Sequence, residues 1–413
     1  MSKKIAKEIE ISVEIFRTNR YNDIIYISGN NMTCKRKKHM KVLIFTASTG
    51  GGHKRAAAAI EAKIRSLSPE TEVTVIDGLK AIGKFYDKTV CKGYHIMATK
   101  TPTVYGKLYR ITDKRNPMTK AVIKSNELIA DLLLEVIDKH EPDIIIICHA
   151  FITNMVSVLK GKGKITAKVI SLITDYDSHR TYISPHIDAF VLAEPQMKRK
   201  LCEEYGVPED KIYPLGIPTF DRFSFSETKE ALCARERLDP NIPIVLMMAG
   251  SFGVTGVLDF YTQLAQSTKD LQIIVITGRN IRLFDHLDRK IQELNTSKNT
   301  KLLYFVDNVE DYMHIADLIV TKPGGLTVTE SIACHLPMAI YSAFPGQEED
   351  NVTFLLEQNA AVLVDKKNGA QEILDLLHSP EKLAAMKESC KRLALPNAAE
   401  DIFNLAKQLC GKE

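Results

Sequence analysis

Short apolar runs rich in β-branched residues recur along the chain and alternate with stretches of helical periodicity. In the first half the runs lie at 42–45, 73–76, 144–147 and 169–173, and helical patterns lie at 53–67 and 128–139. A second series of runs follows at 244–248, 273–276, 302–305, 318–320, 338–341 and 361–364. Alternation of this kind is typical of a parallel sheet with helices on both faces. The sequence therefore predicts an α/β protein with two Rossmann-like domains in series.

Changes in composition predict where these domains begin and end. Residues 1–39 are polar and finish in a basic run, so we expect this extension to lie outside the fold, as a translated upstream segment or a lipid-touching tail. We assign 40–215 to the first domain, 216–240 to a linker and 241–395 to the second domain. The last helical pattern, within 396–413, could close the second domain or cross back to the first. A chain of 413 residues has enough material for two cores.

Composition also excludes several classes of protein. The net charge is only +4, so we expect no nucleic-acid partner. No apolar run reaches the roughly 20 residues that span a bilayer, and residues 1–30 lack the pattern of a signal peptide. The eight cysteines are scattered without a CxxC pair. We therefore expect a reduced, cytoplasmic protein without structural zinc.

The most informative motif, residues 322–330, follows the run at 318–320. Gly324 and Gly325 lie on a predicted strand-to-helix turn, where the backbone can approach a ligand and free N–H groups favour an anion. Glu330 lies one turn into the helix, and its carboxylate is suited to accept hydrogen bonds from ribose hydroxyls. The motif indicates a nucleotide site. A plain turn with a solvated glutamate is the alternative.

A second glycine run, 50–52, follows the first predicted strand and precedes His53 at the start of a helix. Its spacing is neither that of a P-loop nor that of GxGxxG. Gly51 and Gly52 would clear space for a substrate hydroxyl beside an imidazole whose pKa lies near neutrality. The pattern indicates a general base at the carboxyl edge of the first sheet, where open α/β folds place ligands. A cap-region histidine is the alternative.

Two loops after other strands bear on phosphate and metal binding. Asp175 and Asp177 superficially match a DxD metal motif, but two alternating domains contradict the class of sugar transferase that uses it, so we expect no metal. Residues 249–253 offer N–H groups and a hydroxyl for phosphate, or form an ordinary turn. His149, which follows the run at 144–147, is interpreted as a strand-end histidine.

The segment 345–351 carries groups that can both donate and accept hydrogen bonds. Gln347 and Asn351 are four residues apart, would share a helix face, and could bind sugar hydroxyls. Glu349 and Asp350 are interpreted as a solvated acidic helix start.

Six motifs together resemble those of one family. They are TASTGGGH at 46–53, LITDYDSH at 172–179, GSFG at 250–253, YFVDNVEDY at 304–312, TKPGGLTVTE at 321–330 and PGQEEDN at 345–351. This set is similar to that of the monogalactosyldiacylglycerol synthase and processive diacylglycerol glucosyltransferase family, which is related to the peptidoglycan lipid-intermediate N-acetylglucosaminyltransferase. The resemblance covers about residues 41–395.

The resemblance implies a GT-B fold and an inverting transfer of glucose or galactose from a UDP-sugar to diacylglycerol. The enzyme would be peripheral on the inner face of the cell membrane, and it would need no cofactor or metal. The resemblance implies that His53 is the base, that the main chain near Val306 binds uracil and that Glu330 binds ribose. The residues implied around the diphosphate are Gly250, Ser251, Gly253, Gly324, Gly325 and Thr327. Gln347 and Glu348 would bind the donor sugar, and the acceptor side would be lined by Gly51, Gly52, Asp175 and His179. One departure is Tyr182, where many members carry tryptophan. A UDP-sugar 2-epimerase and a non-catalytic UDP-sugar sensor remain as alternatives.

Residues 83–124 combine many aromatic and basic side chains with few acidic ones. That combination suits an anionic lipid interface, so we expect this segment to contact the membrane. An ordinary surface helical hairpin is the alternative.

Overall fold

The computed structural model describes most of the chain. The described residues are 24–28, 31–35, 39–47, 51–83, 101–114, 124, 127–225, 227–248, 257–266, 270–296, 299–365 and 367–412. The predicted phosphate residues Gly250, Ser251 and Gly253 lie outside them, and so does most of the predicted membrane segment, 84–100 and 115–123.

Two short strands precede the first domain. β1 (Ile24–Ser28) and β2 (Asn31–Lys35) pair antiparallel. Within the described chain they form a sheet of their own, which is hydrogen-bonded to neither of the larger sheets.

The first large sheet has six parallel strands in the order β4-β3-β5-β6-β7-β8. The strands are β3 (Lys41–Thr46), β4 (Glu72–Asp77), β5 (Ile144–Ile147), β6 (Lys168–Leu172), β7 (Ala189–Val191) and β8 (Ile212–Tyr213). The α-helices are α1 (Gly52–Leu67), α2 (Gly78–Ala81), α3 (Pro102–Thr112), α4 (Leu134–His140), α5 (Ala150–Gly161) and α6 (Met197–Glu203). All four isoleucines of β5 are buried, as expected for a central strand covered on both faces.

The second large sheet is also parallel, in the order β11-β10-β9-β12-β13-β14. Its strands are β9 (Ile244–Met248), β10 (Gln272–Ile276), β11 (Thr300–Leu303), β12 (Leu318–Thr321), β13 (Met338–Ile340) and β14 (Ala361–Leu363). The helices are α7 (Lys229–Glu236), α8 (Val257–Ala265), α9 (Ile281–Leu294), α10 (Val309–Ile315), α11 (Gly325–Ala333), α12 (Gln347–Glu357), α13 (Gly369–Leu377) and α14 (Pro380–Leu393). The two sheets confirm the predicted α/β class.

Local structure departs from the sequence prediction in the first domain. The helix predicted over 128–139 includes a 3₁₀ turn at Ala130–Leu133, and α4 then runs from Leu134 to His140. Strands β7 and β8 were not predicted, because runs of two or three residues carry too little periodicity to recognise.

The last helix, α15 (Ala398–Leu409), crosses back to the first domain. Its buried side chains Ile402 and Phe403 share a cluster with Val42 and Ile44 of β3 and with Ile60 of α1. Of the two arrangements that the sequence allowed for this segment, the structure therefore shows the second. None of the helices in the described ranges is long and apolar enough to cross a membrane.

Strand order fixes where each domain can bind a ligand. The order reverses between β3 and β5 in the first sheet and between β9 and β12 in the second. Open α/β sheets bind ligands outside the carboxyl ends of strands at such switch points. The loop that leads to His53 leaves β3, and Gly324 and Gly325 follow β12. Both motifs therefore lie at the switch point of their own sheet.

Candidate active site between the two domains

The starts of α1 and α11 face each other across the domain boundary. A Cβ added at Gly52, the first residue of α1, would lie 3.6 Å from Cβ of Leu326 in the first turn of α11. Gly324 is the N-cap of α11, and Gly325 is its first residue. Helix N-termini carry unpaired N–H groups and a partial positive charge. Both helix starts therefore favour negative charge at the boundary between the domains.

Thr174 connects the predicted base to the predicted nucleotide loop. Its Oγ1 lies 3.1 Å from Nδ1 of His53. Its carbonyl oxygen lies so close to Gly325 that a Cβ at that position would overlap it. Glycine is needed at 325 because the backbone of the first domain occupies the space of a side chain. The loop after β6 thus contacts both halves of the site.

His53 lies in an environment that keeps its imidazole neutral. Burial lowers the pKa of His53 to about 4, although a hydrogen bond to the backbone of Cys148 acts in the opposite direction. The His149 ring meets it edge to face, with centroids 5.1 Å apart. Burial, and then the neighbouring His53, hold the pKa of His149 well below its usual value. At neutral pH the His53 ring is therefore uncharged and able to accept a proton.

Glu330 lies inside the domain boundary and not at an open surface. Its carboxylate is 2% exposed, and Oε1 lies 2.7 Å from Nη2 of Arg55 on α1. Burial raises the pKa of Glu330 to about 7, and the positive charge of Arg55 opposes that rise. The residue predicted to bind ribose is thus held by a cation from the other domain.

Helix α3 packs against the loop that carries the predicted sugar-binding residues. Tyr105 donates a hydrogen bond from its hydroxyl to Oε1 of Gln347 at 3.4 Å. A Cβ at Gly106 would overlap Cβ of Pro345. Arg110 pairs with Glu349 at 2.9 Å. The described part of the predicted membrane segment therefore touches the donor side of the site.

Glu348 is held near the same loop by main-chain and cationic contacts. Its Oε2 accepts a hydrogen bond from the backbone N–H of Phe344 at 2.7 Å and lies 3.9 Å from Nζ of Lys322. Burial raises the pKa of Glu348, whereas burial lowers the pKa of Lys322. The Lys322 ammonium also lies 3.2 Å from the centroid of the Phe344 ring. A carboxylate and an ammonium are thus fixed beside Gln347.

The expectation that Asn351 binds sugar hydroxyls is wrong. Asn351 is 0% exposed, and its amide joins the two domains. Its Nδ2 donates to the carbonyl of Pro323 at 2.8 Å and to Oδ1 of Asp175 at 3.2 Å, and its Oδ1 accepts from the N–H of Tyr176 at 2.8 Å. All three contacts are made within the protein, so Asn351 has a structural role. The helical period placed it beside Gln347 but could not show which domain covers that face.

Glu349 and Asp350, the two acidic residues predicted to be solvated at the start of α12, have different surroundings. The side chain of Glu349 is partly exposed, at 45%, and pairs with Arg110. Asp350 is half-buried, and its pKa is raised to about 6, first by burial and then by Asp177. The expectation of a fully solvated acidic turn is therefore wrong at Asp350.

His179 and Asp175, predicted on the acceptor side, are both tied to neighbouring elements. Nε2 of His179 lies 2.9 Å from the carbonyl oxygen of Tyr109 in α3, so this nitrogen carries the proton. Its Nδ1 lies 2.8 Å from Oγ1 of Thr181. Burial raises the pKa of Asp175 to about 6. Among the described residues, no group of three or more His, Cys, Asp or Glu side chains could hold a metal ion.

Two further predicted residues lie on the second domain. Val306 is half-buried in the loop between β11 and α10, packed against the core. Thr327 is half-buried in the first turn of α11, and its carbonyl accepts a hydrogen bond from Ser331. Both positions are compatible with contact to a ligand at the carboxyl edge of the second sheet.

Four residues near the site were not predicted from the sequence to be part of it. They are Arg55, Tyr105, His149 and Thr174. His149 follows β5, which neighbours β3, and Thr174 follows β6, which neighbours β5, so correct strand order would have placed both near His53. Arg55 and Tyr105 contact the other domain, and such a contact cannot be predicted from the residues that surround each of them in the sequence.

Two family models match the chain, one for each domain. The model described as monogalactosyldiacylglycerol (MGDG) synthase matches residues 53–219. The model described as glycosyltransferase family 28 C-terminal domain matches residues 244–402. The first begins at His53, and the second includes both Gly324 and Glu330.

Curated relatives match across both domains. A processive diacylglycerol beta-glucosyltransferase of Staphylococcus saprophyticus is 26% identical over 376 residues, which cover 89% of this chain and 93% of the relative. A protein of the same name from Bacillus cereus is 30% identical over 372 residues, with the same coverage of each chain. The chain belongs to the processive diacylglycerol glucosyltransferase family. This membership confirms the family indicated by the sequence motifs.

Solved structures show that this diacylglycerol glucosyltransferase family member has the GT-B fold. MurG of Acinetobacter baumannii superposes with a TM-score of 0.60 at 15% identity, covering 89% of this chain and 99% of the other. The UDP-GlcNAc 2-epimerase of Neisseria meningitidis, bound to UDP-GlcNAc, superposes with a TM-score of 0.58 at 15% identity, covering 89% and 100%. Transferases and an epimerase thus share this architecture, so the fold by itself does not separate the two reactions.

Proposed function

We propose that the protein transfers glucose from UDP-glucose to the hydroxyl of diacylglycerol with inversion at the anomeric carbon. The observation that carries the proposal is the 30% identity over 93% of a relative named as a processive diacylglycerol beta-glucosyltransferase. As a member of that family the protein is a glycosyltransferase. The names of the relatives favour glucose over galactose and transfer over epimerisation.

The geometry supports a single displacement. In the proposed reaction the acceptor oxygen forms a bond to the anomeric carbon, the bond from that carbon to UDP breaks, and His53 takes the hydroxyl proton. A neutral imidazole suits that role, and burial keeps His53 neutral above pH 5. General-base assistance contributes about 10²- to 10⁴-fold to the rate.

The start of α11 would stabilise the departing diphosphate. A Cβ at Gly324 would meet no atom within 4 Å, so the main chain is open to a ligand at this position, and the N–H groups and dipole of the helix start favour developing negative charge. We propose that Thr327 and the loop with Gly250, Ser251 and Gly253 add further contacts to the phosphates. On this proposal the transfer needs no metal, and activity should persist after dialysis against EDTA.

The remaining donor and acceptor roles follow the family pattern. We assign uracil to the main chain near Val306, ribose to Glu330, and the sugar to Gln347 and Glu348. The contact of Gln347 with Tyr105 supports the sugar assignment, because it fixes an amide at the domain boundary. Gly51, Gly52, Asp175 and His179 would line the path of the acceptor lipid.

Residues 83–124 would bring the first domain to an anionic membrane surface. The described part of this segment includes α3, whose exposed side chains are Val104, Lys107, Arg110 and Ile111. Apolar and basic groups together suit a headgroup layer. We propose peripheral attachment on the inner face of the cell membrane. Sedimentation with vesicles that contain phosphatidylglycerol should pellet the protein at low salt, and absence of pelleting there would contradict the attachment.

The test of the reaction uses purified protein, mixed vesicles with and without diacylglycerol, and either UDP-glucose or UDP-galactose. We expect UDP release and a hexosyl-diacylglycerol, measured by mass spectrometry, only with lipid present and chiefly with UDP-glucose. UDP release that does not depend on lipid, with a changed sugar nucleotide, would support the epimerase alternative. UDP-sugar binding without any turnover would support a sensor.

A further inference from the structure

Arg55 reaches from the first domain into the nucleotide half of the site. It lies in the first turn of α1, two residues after His53, and its Nη2 contacts Oε1 of Glu330 at 2.7 Å. The guanidinium also lies over the buried ring of Phe223, 5.6 Å from its centroid. Arg55 is itself 38% exposed, whereas Glu330 is 2% exposed. The contact therefore places a solvent-reaching cation on a carboxylate enclosed by the other domain.

Only one oxygen of the Glu330 carboxylate is used by this contact. Oε2 is fully buried and has no hydrogen-bond partner among the residues that the structure describes. Buried carboxylate oxygens almost always accept hydrogen bonds, since an unsatisfied one is costly. Oε2 is thus an enclosed acceptor that lacks a donor, and a hydroxyl of a bound ligand would supply one.

We infer that Arg55 is a positioning residue for the donor nucleotide, because it holds Oε1 of the Glu330 carboxylate and leaves Oε2 to accept hydrogen bonds from the ribose hydroxyls. This inference rests on the proposed function, since it takes UDP-sugar as the donor. It adds a residue of the first domain to ribose recognition, which the motifs assigned to the second domain alone. Ribose recognition is then complete only when the two domains are in contact.

The charges around Glu330 determine the sign of the expected pH effect. Burial raises the pKa of Glu330 to about 7, and Glu310 of α10 raises it as well. Arg55 and Arg222 lower it, and Arg222 is itself paired with Glu310 at 2.9 Å. The nearby Cys334 thiol has its own pKa held well above the usual range by burial and by Glu330, so it remains neutral.

Removal of Arg55 should raise the pKa of Glu330 further. The carboxyl group would then be protonated at pH 7 and would present one acceptor fewer to the ribose. Binding of the nucleotide should therefore weaken as pH falls through about 7 in the wild type. In the variant the same weakening should begin at a higher pH.

The experiment measures the dissociation constants of UDP and of 2′,3′-dideoxy-UDP by calorimetry between pH 6 and 8.5. We expect Arg55→Met to weaken UDP binding about tenfold at pH 7, in line with loss of a charge-assisted hydrogen bond. Binding of the dideoxy nucleotide should change by less than about twofold, because it lacks the hydroxyls. The loss for UDP should shrink as pH rises, and Arg55→Lys should recover part of it.

Lys54→Met is the matched control. It removes the same charge from the neighbouring residue of α1, whose ammonium lies 3.7 Å from Asp77 and belongs to the first domain. UDP binding should be unchanged in this variant. Equal losses for both nucleotides, a loss that is constant with pH, or unchanged UDP binding in Arg55→Met would each overturn the inference. Failure of the wild-type protein to bind UDP would instead overturn the donor assignment on which the inference rests.

Discussion

Thr174 places its side-chain hydroxyl 3.1 Å from Nδ1 of His53. The carbonyl oxygen of the same threonine lies where a Cβ at Gly325, the first residue of α11, would be. One residue thus links the group proposed to take a proton from the acceptor with the helix proposed to stabilise the leaving UDP. Displacement of either domain would change the distance between these two functions.

Replacement of His53 by alanine should reduce turnover by about tenfold or more, because general-base assistance contributes about 10²- to 10⁴-fold. UDP affinity should barely change, since His53 lies on the first domain and its described contacts are with Thr174, Cys148 and His149. Initial rates with saturating donor and calorimetric UDP binding measure the two quantities. Wild-type turnover in this variant would remove His53 from the mechanism.

The pH dependence of turnover should differ from that of an exposed histidine. Burial lowers the pKa of His53 to about 4, so the base is lost only as pH falls through that value. With saturating donor, kcat should therefore be nearly constant from pH 5.5 to 8. A fall in kcat centred near pH 6.5 would show that the base titrates as a solvated imidazole and would contradict the burial argument.

Alanine at Gly325 should destabilise the contact between the domains, because its Cβ would overlap the Thr174 carbonyl. Overpacking of this kind costs about 1–3 kcal/mol. We expect a lower midpoint of thermal unfolding by calorimetry. Gly324→Ala is the matched control, since a Cβ there has no atom within 4 Å, and its midpoint should match that of the wild type. Equal midpoints for both variants would contradict the close approach.

Alanine at Asn351 should destabilise the protein by leaving the N–H of Tyr176 and the carbonyl of Pro323 without their partner. Each buried group left unsatisfied costs about 1–3 kcal/mol. Chemical denaturation measures the loss in the free energy of unfolding. Thr353→Ala, on an exposed position of the same helix, should have little effect. If Asn351→Ala instead kept full stability and weakened donor binding, the sugar-binding interpretation would be restored.

The sequence predicted the α/β architecture, and it placed His53 and Gly325 at the carboxyl ends of two predicted strands. Apolar runs located most strands, and glycine turns after β3 and β12 located His53 and Gly325, because both signals are local. The strand order placed those turns at the switch points.

Contacts between the domains could not be predicted in the same way. Arg55 and Glu330 are 275 positions apart in the sequence, and the hydrogen-bonded residues Tyr176 and Asn351 are 175 positions apart. Helical periodicity shows which residues share a face, but it does not show what covers that face. For this reason Asn351 was assigned to the ligand, and Arg55 was not recognised.

The position of α15 has a consequence for the order in which the chain acquires structure during translation. Phe403 and Ile402 complete the apolar layer over β3, so this layer stays open until α15 has been synthesised. Domains generally fold in the order of synthesis, with the amino-terminal one first. Here the layer over β3 is completed by a helix that the ribosome makes after both sheets, so the first domain gains this part of its core after all the strands of the second have been synthesised.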